Sequence, residues 1–262
     1  MTTLAHTITD SRTMFQRQLL HLKRYPSLTL MLIGLPVIFL LLFVYVFGGT
    51  LGAGLGSGGG RSAYVNYLSP GILLFTIAGA VAGTAISVAM DMNEGIVDRF
   101  RSMAIARASL LTGHVLGSLV QIFIALFFVL GIALAIGFRP NATPVEWLAT
   151  VGMLLAISFA LTWLAVALGM VADSVETASN TPMILSLLPF LGSGFVPTET
   201  MPAGLRQFAE YQPFTSMIET LRGLLLGTGI GNSAWIALAW CTGISALSYL
   251  WAKRKYNQRA TH

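Results

Sequence analysis

A chain of 262 residues with 55% apolar and only 10% charged residues, and a mean hydropathy of +0.75, lies far outside the balance of a water-soluble domain. Its net charge of +5 does not call for a nucleic-acid partner, because the same basic residues serve as topology signals and contacts to anionic lipid. A single cysteine, Cys241, excludes an intramolecular disulfide and a cysteine metal cluster.

From the N-terminus, Leu4, Ile8, Phe15, Leu19 and Leu22 fall within a narrow arc at about 100° per residue, with Arg17 and Arg24 opposite. Residues 1–27 therefore read as a cytoplasmic amphipathic helix lying in the membrane interface. Six apolar runs follow, at approximately 28–47, 68–90, 112–137, 147–170, 179–196 and 233–252, none containing Asp, Glu, Lys or Arg. Runs of about 20 residues cross hydrocarbon as helices, and their continuous apolarity excludes a β-barrel, which needs alternation over about ten residues. The fold class is all-α, a polytopic membrane protein with a six-helix domain over 28–252 and a basic tail over 253–262.

Between the first two runs, Gly48–Gly60 lacks the Gly-Lys-Ser/Thr ending of a phosphate loop and reads as a flexible outer connector. After the second run, residues at about 92–108 are expected to form a short cytoplasmic helix. Ile96, Phe100 and Met103 share one face, while Glu94, Asp98 and Arg101 line another. That apolar face either lies back on the bundle or docks in a groove of a cytoplasmic partner.

The segment Pro182–Pro213 holds five of the ten prolines and cannot be one straight lipid-facing helix. Around Pro197, Glu199, Pro202, Arg206, Glu210, Pro213, Glu219 and Arg222, residues 197–226 are expected to form a helical hairpin dipping in from the outer face. Eleven of the fifteen Lys and Arg residues fall in the N-terminal segment, the second loop and the tail. The excess of positive charge on that side places both termini in the cytoplasm.

Two stretches carry a family likeness. The run EGIVDRFRSMAIARASLLTGH, followed downstream by Gly194–Leu225 (GFVPTETMPAGLRQFAEYQPFTSMIETLRGLL), resembles the permease subunit of type-2 ABC exporters, in particular the daunorubicin/doxorubicin-resistance group common in actinobacteria. The resemblance implies a bacterial plasma-membrane exporter of amphipathic drug-like or antibiotic compounds, and lipids, polyketides or glycoconjugates would suit the same architecture. It places Glu94, Gly95, Asp98, Arg99, Arg101 and Arg107, with Phe100 on the apolar face, in a coupling helix that meets a cytoplasmic ABC ATPase. It also implies a permease homodimer with two ATPase copies. Two positions depart from the family pattern: Ala104 stands where Pro is expected, and His114 where Arg is common. His114 reads as an interfacial anchor.

Energy coupling narrows the function. No charged residue lies inside the six runs to carry a proton relay, and there is no nucleotide-binding loop. The chain is expected to bind no cofactor itself, with ATP and Mg held by the partner ATPase. A membrane-embedded lipid-modifying enzyme is the alternative of another class. It would need acidic or histidine clusters with metal-ligand repeats, which Asp91/Glu94/Asp98 and Asp173/Glu176 lack. Candidate groups along a substrate path are Asn66, Phe75, Thr76, Asn180 and Ser186.

Overall fold

The computed structural model describes Leu20, Arg24 and residues 26–55, 59–93, 107–172 and 174–258. The interfacial helix expected over 1–27 lies outside these apart from Leu20, Arg24 and the first residues of α1, and the coupling residues 94–106 lie outside them entirely. The described residues are helical, with no strand among them. Helix α1 (Pro26–Leu41) passes through a π-helical stretch, Leu42–Phe47, into α2 (Gly48–Ala53). Then come α3 (Arg61–Asn93), α4 (Arg107–Ala135), α5 (Pro144–Val171) and α6 (Val175–Leu187). A 3-10 turn at Thr198–Thr200 leads to α7 (Ala203–Tyr211), α8 (Pro213–Leu226) and α9 (Ser233–Gln258).

Helix α3 is the hub. Its 33 residues span about 50 Å at 1.5 Å per residue, and it packs against α1, α4, α5, α6 and α8. Leu68, Ile72, Leu73, Leu74, Ile77 and Ala78 are all buried, so α3 is apolar around its circumference rather than along one stripe. Close approach is built from glycine. A Cβ on Gly169 of α5 would meet the Ala85 carbonyl of α3 at 2.5 Å, so only glycine lets the two backbones touch there.

Five helical segments among the described residues are long and apolar enough to cross a membrane: 29–53, 61–92, 112–135, 144–171 and 233–255. The sixth expected run, 179–196, is not one continuous helix. Helix α6 stops at Leu187 after 13 residues and turns run through Phe195. Pro189 cannot donate to a helical carbonyl and disfavours helical backbone in the residue before it. The turn then passes so close to α3 that a Cβ on Gly71 would overlap the Gly194 backbone.

The loops define two faces. Thr143 and Glu146 close a capping box that starts α5 behind Pro144. The loop leading to it is tied down by Arg139 N donating to Asn66 Oδ1 at 2.9 Å and Asn141 N donating to the Leu225 carbonyl at 2.9 Å. That places 136–143, the start of α3 and the end of α8 on one face. The end of α3, the start of α4 and the end of α9 share the other, where Val88, Val115, Trp163, Val166 and Ala252 form a separate apolar cluster.

Candidate functional site

Two polar constructions stand out, one at each end of α3. On the face that carries both the α3–α4 connection and the end of α9, His114 Nε2 lies 3.0 Å from Asp91 Oδ2. His114 is only 3% exposed and Asp91 7%. The sequence reading of His114 as an interfacial anchor is therefore corrected: it is a buried partner of a carboxylate. Helix α3 runs beyond its apolar run to Asn93, which carries Asp91 inward to face α4. The signal was available in part, since Asp91 follows that run by one residue, but a pairing 23 positions apart on different helices leaves no local pattern. Of the coupling residues, Arg107 opens α4, while Glu94, Gly95, Asp98, Arg99, Phe100 and Arg101 lie outside the described residues.

Next to this pair, α1, α3 and α4 line a partly open cavity of about 370 Å³. Met31, Leu32, Leu35 and Pro36 of α1 supply an apolar wall, and Thr84, Ser87, His114, Ser118 and Gln121 bring polar groups from α3 and α4. Thr84 Oγ1 donates to Ser118 Oγ at 2.8 Å across the two helices, and Gln121 Nε2 donates to Thr29 Oγ1 at 3.4 Å.

Of the five substrate-path candidates, the structure brings only Phe75 to this cavity. Phe75 also joins an aromatic cluster, edge-on to Phe39 and Phe190 at 5.3 and 5.1 Å. Asn66 holds the Arg139 backbone, and Thr76 donates to the Ile72 carbonyl of its own helix at 2.8 Å. Ser186 likewise donates to the Met183 carbonyl, and Asn180 is exposed on α6. Asn66 Oδ1 and the Thr76 and Ser186 hydroxyls bond backbone, and none of the four lines the cavity with Phe75.

At the opposite end, α7 and α8 meet at Gln212 over the segment expected as a hairpin. Pro197 precedes the Thr198–Thr200 turn, Pro202 precedes α7, and Pro213 opens α8, each at a position where its missing N–H costs no helical bond. Glu199 lies in that 3-10 turn. On α7, Arg206 Nε donates to Glu210 Oε1 at 2.6 Å, and this bond holds the guanidinium pKa above its ordinary value. Glu219 Oε2 accepts from Ser233 Oγ at 3.3 Å, joining α8 to α9.

Arg222 points inward. Its Nε and Nη2 donate to the Tyr67 carbonyl at 3.3 and 3.2 Å, and Nη2 also donates to the Ser193 carbonyl at 2.5 Å. The guanidinium sits 3.9 Å from the centre of the Tyr67 ring. Tyr67 Oη donates to the Ser193 carbonyl at 2.8 Å, Tyr64 Oη to the Phe195 carbonyl at 3.0 Å, and Gln212 Nε2 to the Leu188 carbonyl at 3.0 Å. Where the chain leaves helical geometry after Leu187, side chains take up the freed carbonyls, as a low-dielectric surrounding demands. Tyr64 and Tyr67 were not among the candidate residues read from the sequence. Their spacing of one helical turn, at the start of a span facing a proline-broken segment, was the available signal.

Comparison with known proteins agrees with this architecture. The family model described as "ABC-2 type transporter" matches residues 9–226. A daunorubicin resistance ABC transporter permease protein of Streptomyces coeruleorubidus is 27% identical over 259 residues, covering 98% of this chain and 89% of that protein. A probable doxorubicin resistance ABC transporter permease protein of Mycobacterium tuberculosis is 21% identical, covering 78% of this chain and 76% of its own length. An ABC transporter G family member of Dictyostelium discoideum is 25% identical over 69% of this chain and 25% of that protein. With the matched region reaching from before the first span to the end of α8, this chain belongs to the ABC-2 type transporter family and is a membrane-spanning permease of an ABC exporter.

Proposed function

We propose that this permease uses ATP hydrolysed by a separate cytoplasmic ATPase to move amphipathic drug-like or lipid-like compounds outward across a bacterial plasma membrane. The observation that carries the reading is the likeness to a daunorubicin resistance permease along 98% of the chain. The geometry supports it: the Asp91–His114 pair joins the ends of α3 and α4 on either side of residues 94–106, and the α1–α3–α4 cavity lies next to that pair. Movement imposed on the connection by an ATPase would pass into both helices together, and through Val88, Val115 and Ala252 into α5 and α9.

In this reading Glu94, Gly95, Asp98, Arg99, Phe100, Arg101 and Arg107 meet the ATPase, which alone holds ATP and Mg. Two permease chains and two ATPase copies form the working unit, and both termini face the cytoplasm in accordance with the eleven basic residues on that side. The test is reconstitution with the ATPase in inside-out vesicles. Doxorubicin is expected to accumulate only with ATP, the permease alone to hydrolyse none, and Phe100→Asp to lose the ATPase on co-purification. ATP hydrolysis by the permease alone, or no ATP-driven accumulation, overturns the proposal.

A further inference from the structure

Building on the exporter reading, we infer that the cavity between α1, α3 and α4 binds the apolar body of an amphipathic compound whose head carries hydroxyl or amine groups and no negative charge. Its volume of about 370 Å³ falls within the range of about 300–1,000 Å³ typical of small-molecule sites. The lining is divided by chemistry. Met31, Leu32 and Leu35 offer α1 side chains to an apolar ring or chain, and Phe75 adds an aromatic surface. Ser87, Ser118, His114 and Gln121 gather donors and acceptors on the other side.

Those groups are an amide, two hydroxyls and an imidazole, and the imidazole sits against the carboxylate of Asp91. Among the described lining residues no lysine or arginine is present, so none of them compensates an anionic head on leaving water. Hydroxyl and amine heads are matched by both donors and acceptors, and a cationic amine also gains from the nearby carboxylate.

The cavity owes its space to α3. A Cβ placed on Gly83 meets nothing within 4 Å, and one on Gly79 meets only Leu32 Cδ1 at 3.8 Å. A large side chain can therefore enter the cavity from Gly83 without striking backbone. Gly152 on α5 has the same freedom, is exposed, and does not line the cavity, which makes it the matched control.

The experiment uses the permease–ATPase complex in phosphatidylcholine nanodiscs without ATP, reading doxorubicin binding by fluorescence anisotropy. Gly83→Phe is expected to weaken binding by about tenfold or more and Gln121→Leu by about threefold, with Gly152→Phe unchanged. The fluorescent fatty acid cis-parinarate should compete about tenfold less well than doxorubicin. Doxorubicin should also slow maleimide labelling of Gly83→Cys but not of Gly152→Cys, a readout that does not depend on Gly83→Phe folding.

Unchanged binding in Gly83→Phe with no protection of Gly83→Cys overturns the inference, as does equal affinity for cis-parinarate. A phospholipid that co-purifies with the wild type and is lost from Gly83→Phe, while doxorubicin binding stays equal, assigns the cavity to a resident lipid and also overturns it. Export measured with ATP in vesicles separates the two readings. Export intact with binding untouched by Gly83→Phe removes the cavity and leaves the exporter, whereas binding lost in Gly83→Phe with no export in the wild type does the reverse.

Discussion

The two ends of α3 use polar residues in opposite ways. At the end near Tyr64 and Tyr67, the polar side chains are committed to backbone: Arg222, Tyr64, Tyr67 and Gln212 donate to carbonyls of residues 67, 188, 193 and 195. At the end near Asp91, side chains bond chiefly to side chains, Asp91 with His114 and Thr84 with Ser118, and surround open space. The first arrangement repairs a helix that proline has broken, and it does so with donors aimed at carbonyls while Ser193 Oγ and Gln212 Oε1 stay buried without a hydrogen bond among the described residues. The second keeps hydrogen-bonding capacity beside a cavity. In a medium without water, that contrast separates a lock from a site able to receive something.

The comparison can be broken by substitution, and the largest effect is expected at the Asp91–His114 pair. His114→Leu leaves Asp91 buried without this partner, which should cost about 3 kcal/mol in a thermal-unfolding assay of the purified chain. The double variant Asp91→Leu/His114→Leu should recover most of that loss, because removing both members of a buried pair is far less costly than removing one. A double variant as unstable as the single would show that the pair has no mutual role.

At the other end Arg222→Leu removes a guanidinium that serves two carbonyls and should cost about 2–3 kcal/mol, with Arg222→Lys recovering only part of it because an ammonium lacks the planar fork. Doxorubicin binding per folded molecule should not move in Arg222→Leu. A fall in affinity there would merge the two regions. The smallest effect is Tyr67→Phe, which keeps the ring beneath Arg222 and loses one bond to Ser193, expected at about 1 kcal/mol in the same melting assay.

Much of the fold could be read from composition alone. The runs at 68–90, 147–170 and 233–252 lie within α3, α5 and α9, and the run at 112–137 passes the end of α4 by two residues, because a long charge-free segment has few other ways to satisfy its backbone in lipid. The run at 179–196 was apolar enough to look like a span, but hydropathy does not register that Pro189 ends a helix or that Gly71 and Gly194 bring two backbones together. The cavity was hidden for a related reason. Ser87, Ser118 and Gln121 are unremarkable polar residues within apolar runs, and only the crossing of α3, α4 and α1 assembles them. Nor does residue type tell that Asn66, Thr76 and Ser186 each bond backbone, at Arg139, Ile72 and Met183.

The π-helical stretch in the first span sets a phase. Pro36, Leu40, Val44, Gly48 and Gly52 are all buried, a strict spacing of four. In an unbroken α-helix each step of four overshoots a full turn by about 40°, so four steps would carry the last residue about 160° around the axis, to the far side. The wider turn at Leu42–Phe47 uses more residues per revolution and cancels part of that drift, which keeps one edge against its neighbours from end to end. Gly52 depends on this timing, since a Cβ there would meet the Gly60 backbone at 2.3 to 3.0 Å, well inside ordinary contact. Deleting Leu51, in the α-helical stretch beyond the wide turn, would bring Ala53 to the place of Gly52 and set a Cβ into that contact, so one residue removed from this part of the chain would be felt at the loop between 53 and 61.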